Sequence, residues 1–161
     1  MRGFEVMRFF KVLLVAGGTA LAGSTHAAEP RVVVDAGKSA EWVSKALVSS
    51  GYKADFSVES LKEVDRFLED QAPNGVPKAN GLLAKDLGAR IFGLGSYVGE
   101  VLRRHAGGTW QGDDSDPQTE IDLKLVLPNG SVLWPAQRVM KRFQHGSEES
   151  VFVYGSALAK P

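Results

Sequence analysis

Residues 82–105 read LLAKDLGARIFGLGSYVGEVLRRH, and the reading of this stretch decides the fold. Leu83, Leu87, Ile91, Leu94, Val98, Val101 and Leu102 keep a helical period over roughly six turns, which predicts one central helix. Its glycines oppose that on propensity, at about 1 kcal/mol each relative to alanine. Their spacing supplies a reason: Ala84, Gly88, Gly95 and Gly99 fall on one side, making a smooth strip against which another backbone can lie closely. Arg103, Arg104 and His105 place positive charge where the helix macrodipole favours it, and Gly107-Gly108 supply the stop.

Downstream the period switches from helix to strand. Thr109-Trp110-Gln111 opens a short strand, Asp113 and its neighbours to Pro117 form an acidic turn, and Ile121, Leu123, Leu125 and Leu127 alternate as a half-buried strand. Pro128-Asn129-Gly130 is a hairpin turn, so residues 131–134 should return antiparallel. A three-stranded meander needs a covering layer, and the glycine-bearing helix is the natural one. Pro135 suits the first turn of a helix over residues 136–145, with Val139, Met140 and Phe143 on its apolar side. Residues 147–158 fit either state and are assigned to helix, capped by Ser147 with Glu148 and Glu149 in its first turn.

Upstream, Pro73-Asn74-Gly75-Val76-Pro77 interrupts everything, since two prolines cannot continue a helix. Before it, Ser60 with Glu63 is a capping-box pattern and Leu61, Val64, Phe67 and Leu68 make one stripe, predicting a helix over 60–70. Trp42, Val43, Ala46 and Leu47 predict another over 39–50, ended by Gly51. Between these two helices, residues 53–57 are expected to be extended. The β-branched run Arg31-Val32-Val33-Val34-Asp35 reads as a strand. The expected fold is therefore α+β: a three-stranded antiparallel meander packed against a long glycine-containing helix, with flanking helices. It occupies residues 28–161 as a single domain, of which 28–58 is the less defined part.

The first 27 residues read as a cleaved export signal. Arg2, Arg8 and Lys11 precede the apolar run Val12-Leu13-Leu14-Val15-Ala16, and Thr25-His26-Ala27 offers small residues at both signal-peptidase contact positions. Cleavage is expected after Ala27 or Ala28. Glu5 is unusual in such a leader, and a start at Met7 would remove it. The apolar stretch is too short to span a bilayer, which takes about 20 residues. The chain has no cysteine, so a lipid anchor at the cleavage site, disulfides and thiolate metal sites are all ruled out. A cysteine-free exported chain fits a bacterial periplasm better than a eukaryotic secretory route, so the expected location is periplasmic or secreted.

Without the leader, 19 basic and 19 acidic residues become 16 and 18, a net charge of about −2. That balance gives no sequence-wide attraction to nucleic acid or to anionic lipid. Asp113-Asp114-Ser115-Asp116 has oxygen ligands in close spacing, but Leu125 stands where an EF-hand loop opened by Asp114 needs its glutamate. His105 and His145 have no metal-ligand spacing, so no metal is expected. Ser96 lacks the flanking glycines of a nucleophile elbow, since Leu94 and Val98 stand there. Gly93 to Gly99 lies inside a predicted helix and not at a strand-to-helix turn, so it is no dinucleotide loop. No catalytic set and no cofactor are expected.

Several residues admit both a binding and a structural reading. Glu100 is an acid or base, or a ligand anchor, if burial raises its pKa; the structural alternative is an ion pair with Arg103 and Arg104. Tyr97, Trp110 and Trp134 either line an apolar pocket or belong to the core. Arg138, Lys141 and Arg142 either grip an anion or form a solvated helix face.

Leu94-Gly95-Ser96-Tyr97-Val98-Gly99-Glu100-Val101-Leu102-Arg103-Arg104 is followed by Gly107-Gly108-Thr109-Trp110, Leu127-Pro128-Asn129-Gly130, Arg138-Val139-Met140-Lys141-Arg142 and Gly146-Ser147-Glu148-Glu149-Ser150. In this order the chain resembles a group of small bacterial domains of unknown function, whose helix carries Tyr-x-Gly-Glu-Val before Gly-Gly-x-Trp. The resemblance covers roughly residues 60–155, supports the domain boundaries and implies no activity.

The functional expectation is an exported, soluble, non-enzymatic domain that binds a protein or a small envelope ligand at the helix-sheet seam. Its ligand-binding candidates are Tyr97, Glu100, Arg104, Trp110, Trp134 and Arg138. The alternatives are an envelope hydrolase using Glu100 as acid or base, and an immunity-like or inhibitor protein.

Overall fold

The computed structural model describes residues 27–159, so the export signal expected over residues 1–27 lies outside the described residues but for Ala27. The first element corrects an expectation: residues 31–35 are not a strand but the opening turn of α1 (Arg31–Ser49). Val32, Val33, Ala36, Ala40, Val43 and Leu47 are all buried along it. Burying a valine or leucine side chain is worth about 1.5–3 kcal/mol, whereas the helix penalty of a β-branched residue stays below about 1 kcal/mol. Packing therefore overrides the local strand preference. A distant residue secures the helix start, as Asp114 accepts hydrogen bonds from the amides of Arg31 at 2.7 Å and Val32 at 3.0 Å.

Residues 53–57 form no strand; the chain bends at Phe56, which has a φ of 60°. α2 (Leu61–Gln71) follows a short 3-10 turn (Val58–Ser60), so the expected capping box does not form. Ser57 caps the turn instead, and Glu63 accepts from the amide of Lys53 and pairs with Arg66. After a 3-10 turn at Pro73–Gly75, α3 (Leu87–Ala106) begins one and a half turns later than its periodicity predicts. Asp86 holds a left-handed φ of 54°, and Leu83 reaches the core from the preceding loop.

Two of the predicted glycine contacts are present on α3. A Cβ on Gly95 would lie 2.7 Å from the Ala136 nitrogen, and one on Gly99 would strike the Trp110 ring. Gly88 meets nothing within 4 Å, so the close-packed strip runs only from Gly95 to Gly99.

The meander is β1 (Thr109–Gln111), then β2 (Lys124–Val126) and β3 (Val132–Leu133), antiparallel in the order β1-β2-β3. Trp110 opposes Leu125, which opposes Leu133. Its middle strand is shorter than expected, because residues 119–122 form the single turn α4 (Thr119–Asp122). That turn delivers Leu123 to a second cluster with Val32, Val33, Ala36 and Phe92, and Trp110 packs against both this cluster and the main core.

α5 (Pro135–His145) starts on its proline, as read. Residues 147–158 are helical, but as a 3-10 turn (Gly146–Glu149) followed by α6 (Val151–Leu158). Ser150 rather than Ser147 is the cap, accepting from the Val153 amide at 3.1 Å. No helix among the described residues is long and apolar enough to cross a membrane.

Candidate functional site

The six candidate residues of the seam do not converge on one cavity. Tyr97 and Gly99 sit about 200° apart around α3 at 100° per residue. Tyr97 is fully buried on one side, where its hydroxyl shares a 2.6 Å hydrogen bond with Ser60 and accepts another from the Phe56 amide. Burial pushes its phenol pKa up. Trp110 covers Gly99 on the other side. Trp134 is exposed and faces a separate shallow depression with Gln111, Asp113 and Lys124.

The charged candidates are engaged with each other. Glu100 is buried, accepting from Arg103 Nε at 2.8 Å, Arg103 Nη2 at 2.9 Å and Arg104 Nε at 2.9 Å. Arg104 continues to Glu41 at 2.7 Å and lies 3.7 Å above the Phe56 ring. Burial alone would raise the Glu100 pKa, but the hydrogen bonds and charges of the two arginines outweigh it and hold the carboxyl below its ordinary value. The expected pH dependence follows from that sign. A depressed folded pKa contributes stability that is complete above the unfolded value and lost as pH falls through the folded one. The gap in urea midpoint between the native chain and Glu100→Gln should therefore shrink on acidification from about pH 6 to about pH 3. A gap that stays constant would mean that the carboxylate is not coupled to folding.

The basic trio on α5 is likewise structural in two of its three members. Arg138 pairs with Glu149 at 2.6 Å and stacks over Tyr154, while Arg142 is buried against Asp65 at 3.1 Å and Glu69 at 3.2 Å. Lys141 remains exposed. Sequence spacing alone does not indicate these partners, since Asp65 lies 77 residues before Arg142. His105 places Nδ1 2.8 Å from the Val101 carbonyl oxygen, one turn back on its own helix. Among the described residues no group of three or more His, Cys, Asp or Glu could hold a metal ion.

A different feature has the shape of a ligand site. Between α1, α3 and the loop at residues 82–86 runs an open, mostly apolar groove of about 720 Å³. That volume lies within the roughly 300–1,000 Å³ typical of small-molecule pockets. Its floor contains small residues, Ala46 and Gly93, and Ala89 lines it from an exposed position. Val43 seats against Gly93 so closely that a Cβ there would lie 2.9 Å from it. Two large apolar side chains, Trp42 and Leu82, rise beside this floor and are 57% and 47% exposed. Leu47, Phe67 and Leu94 extend the apolar lining, and Lys38, Asp86 and Arg90 supply its charges. Trp42 was legible as an apolar residue of a helix. That it would be left standing in water opposite Leu82 depends on how α1 crosses α3, which no periodicity encodes.

No family model matches this chain, and neither a curated protein nor a solved structure gives a significant match to it.

Proposed function

We propose that this chain is an exported binding protein, not an enzyme, and that its ligand occupies the groove between α1 and α3. The observation that carries the reading is the pairing of Trp42 and Leu82, two large apolar side chains left in water beside a cavity of ligand size. Surface hydrophobes scattered singly need no explanation, but those that rim a concavity mark binding sites. Export is supported by the leader-like first 27 residues, and the lack of cysteine favours a bacterial periplasm as the destination.

The hydrolase alternative has less support. A general acid needs a raised pKa, whereas Glu100 is held ionised by two arginines and lines neither the groove nor the depression beside Trp134. His105, the histidine on the same helix, is turned to the Val101 carbonyl.

A neutral fluorescent probe, N-phenyl-1-naphthylamine, tests the groove. Binding should saturate at one site, weaken at least about tenfold in Trp42→Ala, and vanish in Ala89→Trp, which fills the groove from an exposed position of α3. Both variants should keep the native circular dichroism spectrum. Absence of probe binding, or an Ala89→Trp variant that binds as well as the native chain, would overturn the assignment.

A further inference from the structure

Arg90 distinguishes the groove from a merely greasy surface. Arg66, Arg103, Arg104, Arg138 and Arg142 each meet a carboxylate, but the side chains of Arg31 and Arg90 make no ion pair among the described residues, and of these two only Arg90 lines the groove. Its guanidinium lies 5.5 Å from the centre of the Trp42 ring, which fixes it at the groove wall. There its Nε is shut off from water and has no hydrogen-bond acceptor. A shielded donor left unpaired is costly, and an anionic oxygen is the acceptor that satisfies a guanidinium best. Lys38 is a second base on the same lining, also without an ion pair, and Asp86 is the one acid there and is not bridged to either. The groove thus joins an apolar trough to two cations that no carboxylate bridges, with a lining of net charge +1.

We infer that the groove selects single-chain amphiphiles with an anionic head, the head seated on Arg90 and Lys38 and the chain along Trp42, Leu47 and Leu82. This rests on the groove being the ligand site. The apolar lining supplies affinity that does not depend on the head, and the guanidinium supplies the discrimination. A carboxylate and a phosphate both meet the requirement, because each offers paired oxygens to the guanidinium fork.

The test is displacement of N-phenyl-1-naphthylamine from the full chain by dodecanoate, dodecyl phosphate and dodecanol, each kept below its aggregation threshold. At least one of the two anions should compete about tenfold better than the alcohol, and which of them does so identifies the head. In Arg90→Met, which keeps apolar bulk beside Trp42, the anion-to-alcohol ratio should fall toward one. Equal competition by all three compounds on the native chain would overturn the head-group inference while leaving the groove as a binding site. An anion preference that survives unchanged in Arg90→Met would overturn the role given to Arg90. If the probe itself does not bind, the groove assignment falls and takes this inference with it.

Discussion

Asp65→Ala is expected to lower the unfolding free energy by about 3–5 kcal/mol, the usual cost of removing one partner from a buried ion pair. The Asp65 carboxylate joins three elements. One oxygen accepts from Arg142 Nε on α5 and from the Val151 amide at 2.9 Å; the other accepts from the Ser150 hydroxyl at 2.7 Å and the Phe152 amide at 3.1 Å. It therefore caps α6 while neutralising Arg142, whose side chain is only 6% exposed. Without it, that guanidinium retains Glu69, which is largely in water and a weak partner. The first amides of α6 lose their acceptors at the same time. Asp65→Asn should cost less, because an amide oxygen still accepts from the helix. Urea unfolding of the two variants against the native chain gives the measurement. A loss below about 1 kcal/mol for Asp65→Ala would show that Arg142 swings out to solvent and needs no partner.

The second large effect separates two glycines of one helix. Gly95→Ala is expected to destabilise by about 2 kcal/mol, because the new methyl meets the Ala136 backbone, which no side-chain rotation can move aside. The gain of about 1 kcal/mol in helix propensity is too small to compensate. Gly88→Ala meets nothing within 4 Å, so there the propensity gain should appear nearly whole, as a stabilisation of about 1 kcal/mol. Opposite signs from the same substitution, seven residues apart, are the diagnostic result of thermal or urea unfolding. Equal effects would mean that α5 does not rest on α3 at Gly95.

Much of this architecture was legible where local pattern and tertiary packing agree. The period of Leu87, Ile91, Leu94, Val98, Val101 and Leu102 survives in α3 because each of those side chains has somewhere apolar to go. The meander was legible from Pro128-Asn129-Gly130, where Gly130 takes a φ of 85° that suits glycine. Failures occur where distant groups decide. Val32-Val33-Val34 suits a strand as well as a helix, and the choice falls to Asp114 and to a cluster with Phe92 and Leu123. Ile121 and Asp122 open the alternation that predicts a strand, yet the chain coils over residues 119–122, and Leu123 enters the second cluster.

The candidate site was less legible still. Glu100 and its arginines were readable as an ion pair, since three- and four-residue spacings on a helix put such groups together. The groove was not, because Trp42, Leu82 and Arg90 belong to separate segments and meet only by the crossing of α1 and α3. An unpaired Arg90 is visible only after Arg66, Arg103, Arg104, Arg138 and Arg142 have been matched to their acids.

The Asp114 cap on α1 also sets an order of assembly. The acceptor for its first two amides lies 83 and 82 residues further along the chain. A ribosome adding about 5–20 residues per second needs on the order of ten seconds to cover that distance. During that interval the opening turn of α1 has no cap, and the cluster that covers its valines stays incomplete until Leu123 follows. The start of α1 is thus secured late, after most of the polypeptide has been synthesised.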